Sequence, residues 1–126
     1  MTFHDHFSSR ASIYARARPT YPPSLFAQLA ALSPGRDLAW DCGTGNGQAA
    51  PGLAAHFSRV LATDPSAPQL AQAPSHPKIE FRLAEERDCG LPALSVDLVT
   101  AAQAAHWFDL EDFYAEARRV LRPGGV

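Results

Sequence analysis

The chain has 126 residues, of which 19% are charged and 46% hydrophobic, with a formal net charge of −2; this indicates a single soluble globular domain and argues against a broad nucleic-acid surface. No apolar run approaches the roughly 18 residues of a membrane helix, and the first ten residues, with His4, Asp5, His6 and two serines, lack the apolar core of a signal peptide. Cys42 and Cys89 make no disulfide framework, since a cross-link at Cys42 would obstruct the glycine turn around it, and a reducing cytoplasm fits best.

Residues 8–18 read as a weakly periodic helix, broken by Pro19, Pro22 and Pro23. Ser24 suits an N-cap for a second helix over residues 25–32, which Ser33-Pro34-Gly35 ends. Residues 37–41 make the first strand. The helix after it spans residues 49–57, and Pro51 must lie in its first turn. Residues 60–63 form a second strand, residues 67–73 a short helix between Pro68 and Pro74. Residues 78–83 alternate apolar and polar, the pattern of a strand with one covered face at a sheet edge. Residues 97–102 are more continuously apolar, which predicts a more central strand. Residues 109–121 read as a helix with Leu110, Phe113, Ala117, Val120 and Leu121 on one face and Asp109 as its cap. This alternation predicts an α/β fold, a doubly wound and mainly parallel sheet with helices on both faces. Gly124-Gly125-Val126 looks like the start of a further strand.

Between the first strand and its helix stands Asp41-Cys42-Gly43-Thr44-Gly45-Asn46-Gly47-Gln48. Glycine is required where a turn takes positive φ and brings its backbone against a ligand. The following helix N-terminus offers unpaired N–H groups to an anionic part of that ligand. About 20 residues on, at the end of the second strand, Asp64 is positioned to accept hydrogen bonds from both hydroxyls of a ribose. A helix-capping role ahead of Pro65 is the alternative. A nicotinamide dinucleotide turn would want its third glycine at position 48, which is Gln48.

The spacing acid-x-Gly-x-Gly-x-Gly resembles that of class I S-adenosylmethionine-dependent methyltransferases, in particular the type 11 group. The resemblance runs nearly end to end. It takes in Tyr14-Ala15-Arg16-Ala17-Arg18-Pro19-Thr20-Tyr21-Pro22-Pro23, the turn itself, Asp64-Pro65-Ser66 and Ser95-Val96-Asp97-Leu98-Val99-Thr100. It continues through Ala101-Ala102-Gln103-Ala104-Ala105-His106-Trp107-Phe108-Asp109 to Arg119-Val120-Leu121-Arg122-Pro123-Gly124-Gly125. His106-Trp107-Phe108-Asp109 is similar to the small-molecule branch that includes trans-aconitate methyltransferase. The resemblance implies a Rossmann-like domain over residues 37–126 behind an N-terminal helical lid or substrate segment over residues 1–36. The family's full domain has seven strands, which implies that this sheet stops after its fourth strand and following helix, and that the chain alone is inactive or unstable.

For the site, the resemblance implies that Asp41, Gly43, Thr44 and Gly45 line the methionine part of S-adenosylmethionine, and that Asp64, with Pro65 and Ser66, holds the ribose. Glu85 or Glu86 flanks the adenine, and backbone carbonyls at Ala102 and Gln103 meet the cofactor's amino group. Tyr14, Arg18, Tyr21, His106 and Trp107 lie on the side of a small-molecule acceptor. In-line transfer from a sulfonium needs mainly a positioned, electron-rich acceptor. A carboxylate acceptor needs no base; a hydroxyl or phenol acceptor does, and His106 is the candidate, a packed histidine being the alternative. His4 and His6 without a second ligand cluster do not make a metal site. The expected product is S-adenosylhomocysteine, with no nucleic-acid or membrane partner. The competing readings are a cofactor-binding piece without turnover and, less favoured by Gln48, a nicotinamide-dependent oxidoreductase.

Overall fold

The computed structural model describes residues 21–101 and 109–126. These form α1 (Pro23–Leu32), β1 (Leu38–Cys42), α2 (Ala50–Ala54), β2 (Arg59–Asp64), α3 (Ala67–Ala71), β3 (Ile79–Leu83), β4 (Leu98–Thr100) and α4 (Leu110–Val120). The strands pair in parallel in the order β3-β2-β1-β4. The helix predicted over residues 8–18 lies outside the described residues.

β1 is buried along its whole length, and its side chains divide between two cores because successive residues of a strand face opposite ways. On one face Ala39, Val60, Ala62, Ile79 and Leu98 meet α1 and α2 through Phe26, Ala30, Ala50, Leu53 and Ala54. The small alanines let α2 lie close to the sheet, and a Cβ at Gly52 would overlap the Phe26 ring of α1. On the other face Leu38, Trp40, Cys42, Leu61 and Val96 meet Phe113 and Val120 of α4. Helices therefore cover both faces of a doubly wound, Rossmann-like sheet, as the alternation of elements predicts. The described part of the N-terminal segment, α1, packs into the first of these cores. No helix among the described residues is long and apolar enough to cross a membrane.

Several predicted boundaries shift. The first strand starts at Leu38, one residue late. The second helix starts at Pro23 with Pro22 as its N-cap, so Ser24 is not the cap; proline's fixed φ suits the first helical position. α2 begins at Ala50 and ends at Ala54, shorter than predicted, and α3 ends at Ala71. β3 takes an outer place, in line with its alternation. β4 stands beside the fully buried β1, at the other end of the order of these four strands. Its continuous apolarity has a local cause. Leu98 faces the α1–α2 core and Val99 packs on the α4 core, so both faces are covered. Its outer backbone is occupied in part: Val99 N–H donates to the Val126 carbonyl at 3.1 Å and Val126 N–H to the Asp97 carbonyl at 3.3 Å. That is the hydrogen-bond pattern of a parallel ladder.

Two buried acids pin the frame, and neither stands out in the apolar pattern. The Asp97 carboxylate, fully buried, accepts the backbone N–H of Asp37 at 2.9 Å and of Leu38 at 3.2 Å, which joins the start of β1 to β4. Arg122 reaches both Asp37 and Asp97. Glu116 lies on the buried face of α4, where it accepts the Cys89 N–H at 2.9 Å. Arg119 donates to both Glu116 oxygens and to the Leu91 carbonyl, at 2.7 and 2.8 Å. Of the predicted α4 face, Leu110 is exposed, while Phe113, Ala117 and Val120 are buried.

Replacing Asp97 by Ala leaves the N–H groups of Asp37 and Leu38 without their acceptor and takes one of two carboxylate partners from Arg122. The expected loss is about 3 kcal/mol of stability, read by urea denaturation; a loss under about 1 kcal/mol would contradict the pinning role. Glu116 yields a pH test. Its hydrogen bonds from Arg119 hold the carboxyl down at about 2. A depressed folded-state pKa contributes stability that is present above the unfolded value, near 4.5, and is lost as pH falls toward 2. Glu116→Gln should therefore be less stable at pH 7 and show a flatter loss of stability between pH 4.5 and 2, measured by thermal melts across that range.

Candidate functional site

The strand order reverses between β1 and β4: the chain winds from β1 through β2 to β3 on one side, then returns to place β4 on the other. At such a switch point the loops leave the strand ends in opposite directions and open a crevice. The glycine turn lies there. Gly43, Gly45 and Gly47 take φ of 68°, 61° and 82°, the left-handed region that disfavours side chains. Crowding adds to the requirement at Gly47, where a Cβ would stand 3.0 Å from the Phe81 ring and 3.1 Å from Ala73.

The turn is tied to the end of β2. Thr44 N–H donates to the Thr63 carbonyl at 2.8 Å, and Gly45 N–H to Asp64 Oδ2 at 3.0 Å. The other Asp64 oxygen accepts the Ser66 N–H at 2.8 Å. Ser66 in turn caps α3, its Oγ accepting the Gln69 N–H at 3.3 Å. Asp64 thus connects the turn, the second strand end and the α3 N-terminus. The helix cap is thus Ser66 and not Asp64, and a carboxylate with about four lone-pair sites has capacity beyond these two amides. Pro65 is half-buried between Asp64 and Ser66.

Asp41 stands at the β1 end on the same sheet face as Asp64 and is 1% exposed. Thr44 Oγ1 donates to its Oδ2 and Thr100 Oγ1 to its Oδ1, both at 2.8 Å. Burial raises the Asp41 carboxyl from its ordinary 3.8 to about 6, opposed by the two hydroxyl hydrogen bonds and reinforced by the nearby Asp64 charge. Beside it, burial pushes the Cys42 thiol far up, so it stays protonated. Both cysteines are free and buried. Two acids at adjacent strand ends, with hydroxyls rather than a lysine or arginine on Asp41 among the described residues, make a surface complementary to a cationic group.

The adenine-side candidates separate. Glu85 is exposed and pairs with Arg87 at 2.8 Å. Glu86 is half-buried and accepts the Asp109 N–H at 3.2 Å, joining this loop to the start of α4. Tyr21 is half-buried and meets Phe26 edge-on, with ring centroids 6.2 Å apart. Tyr14, Arg18, Ala102, Gln103, His106 and Trp107 lie outside the described residues. Among the described residues no group of three His, Cys, Asp or Glu side chains could hold a metal ion. Sequence reasoning missed Thr63 and Thr100. The signal for Thr100 was available: a hydroxyl residue at the end of a strand predicted to run parallel to the one that ends in Asp41.

The raised Asp41 carboxyl has a consequence for stability. A carboxyl whose folded-state pKa lies above its unfolded value stabilises the fold at low pH, and that contribution is lost as pH rises from 3.8 through about 6. Asp41→Asn should therefore raise stability at pH 7 by on the order of 1–2 kcal/mol, with the gain fading below pH 4. Thermal melts of both proteins across pH 4–8 check this; a destabilised variant at pH 7 would contradict it.

Residues 40–126 match the methyltransferase domain family of type 11. A candidate methyltransferase of Dictyostelium discoideum is 43% identical over 124 residues, covering 98% of this chain and 47% of that protein. The structure of a candidate type II methyltransferase from Anaeromyxobacter dehalogenans is 53% identical with a TM-score of 0.83, covering 86% of this chain and 46% of the other. The complex of DhpI with SAM and HEP is 29% identical with a TM-score of 0.70, covering 97% and 60%. The chain spans about half the length of the curated relatives it matches. Family match, sequence identity and the turn at the strand switch agree, and the chain belongs to the type 11 methyltransferase-domain family.

Proposed function

We propose that this chain binds S-adenosylmethionine at the glycine turn and serves methyl transfer to a small-molecule acceptor. The observation that carries the reading is the turn itself. It carries three positive-φ glycines at the β1 end and is held through the Thr44 and Gly45 amides to the end of β2, beside two buried acids. The residues fit the cofactor's chemistry: backbone at Gly43 and Gly45 can approach a ligand closely, and Asp41 and Asp64 complement a molecule with an ammonium, a sulfonium and ribose hydroxyls. The DhpI complex, similar over nearly the whole chain, contains SAM and supports this choice.

When bound, the sulfonium supplies the methyl group. The chain's own residues bind and orient. Asp64 receives the ribose hydroxyls while keeping the Gly45 and Ser66 amides, and Asp41 offers negative charge to the methionine end. Glu86, half-buried and joined to Asp109 at the start of α4, is the preferred of the two adenine-side candidates. Tyr14, Arg18, Tyr21 and Trp107 shape the acceptor side, and His106 takes a proton where the acceptor is a hydroxyl or phenol.

Calorimetric titration with S-adenosylhomocysteine and, separately, with NAD discriminates the cofactor classes. Binding of the first and not the second is expected; folded protein that ignores S-adenosylhomocysteine would defeat the reading. Asp64→Ala should weaken that binding by about 2–3 kcal/mol through loss of charge-assisted hydrogen bonds. Unchanged affinity would mean that the ribose is held elsewhere.

A further inference from the structure

We propose that Thr100 is a positioning residue for cofactor binding, whose hydroxyl, reaching across from β4, sets the orientation of the buried Asp41 carboxylate. The inference rests on the cofactor reading above and adds a residue to it. Asp41 and Thr100 are direct partners in the parallel β1–β4 register, so their side chains leave the sheet on the same face. Thr100 Oγ1 donates to Asp41 Oδ1 at 2.8 Å, while Thr44, from the turn, holds Oδ2 at the same distance. One hydroxyl on each oxygen fixes the plane of the carboxylate. The Thr44 contact is local to the turn. The Thr100 contact joins positions 59 residues apart and exists only when β4 is seated against β1. It therefore makes the aim of the acid depend on the strand that leads into residues 102–108.

Among the described residues the charged neighbour facing Asp41 is Asp64, from the end of β2, and it opposes ionisation. Thr44 from the turn and Thr100 from β4 favour it. The thiol of Cys42 points to the opposite sheet face, among Trp40 and Leu61. Among the described residues Thr100 is thus one of two groups that favour the anionic form of Asp41 against burial and a like charge. Removing the hydroxyl leaves shape and apolar packing nearly unchanged but takes away that donor, so proton uptake by Asp41 should set in at higher pH.

The test is calorimetric titration of S-adenosylhomocysteine into the whole protein from pH 5 to 8.5, for the wild type, Thr100→Val and Thr100→Ser. Wild-type binding should fall on the acid side as Asp41 takes up a proton. Thr100→Val should bind about tenfold more weakly at pH 7, with the acid-side midpoint moved upward, and Thr100→Ser should restore both. Should the valine variant fold poorly, Thr100→Ala gives the same reading. A folded Thr100→Val protein with wild-type affinity and midpoint overturns the positioning role and leaves the cofactor reading standing. So does a serine variant that binds as weakly as the valine one. Failure of the wild type to bind defeats both.

Discussion

The glycine turn can hold its left-handed backbone because the end of β2 accepts its amides. A turn with three residues at positive φ has no helix or ladder partner for its N–H groups, and buried amides without acceptors are costly. The Thr63 carbonyl and the Asp64 carboxylate supply those acceptors for Thr44 and Gly45. Because Asp64 also takes the Ser66 amide, the same side chain sets where α3 begins. Turn, second strand and third helix are thereby one rigid unit, and its position follows from β1–β2 pairing, which runs in register from Leu38 with Arg59 to Cys42 with Thr63.

The two ends of the sheet solve different problems with the same residue type. At the N-terminal end Asp97 accepts two amides from the start of β1 and is approached by Arg122, so its charge is matched. At the C-terminal end Asp41 is equally buried but, among the described residues, has the Thr44 and Thr100 hydroxyls as side-chain partners, with Asp64 close by. The first arrangement stabilises the frame. The second stores unfavourable electrostatics where a cationic ligand would relieve it, the distribution expected when a binding site is bought with local stability.

The packing explains why so short a chain segment can hold this site firmly. Trp40 and Leu61 fill one face and donate little to the site except through Trp40 Nε1, which donates to Thr63 Oγ1 at 2.9 Å. That bond ties the core under α4 to the residue whose carbonyl receives the Thr44 amide. On the opposite face the alanines of β1, β2 and α2 bring the helix close enough for its N-terminus to follow directly from the turn.

What the sequence alone determined was local. Alternating glycines, an acid before them, prolines at helix starts and the alternation of apolar runs were enough to place the turn, the strands and the helices of the described residues to within a few residues, because each depends on backbone preference and side-chain period. The family resemblance was legible for the same reason: its motifs are contiguous. The partners across the sheet were not. Thr100 on Asp41, Asp97 on the β1 amides and Glu116 under Cys89 are set by register and by which strand lies beside which, and those follow from parallel crossovers that bring together residues tens of positions apart. β4 shows the limit most plainly. Its apolar run reported coverage of both faces, and only the folded sheet decided that this coverage came from α1 and α2 on one side and α4 on the other.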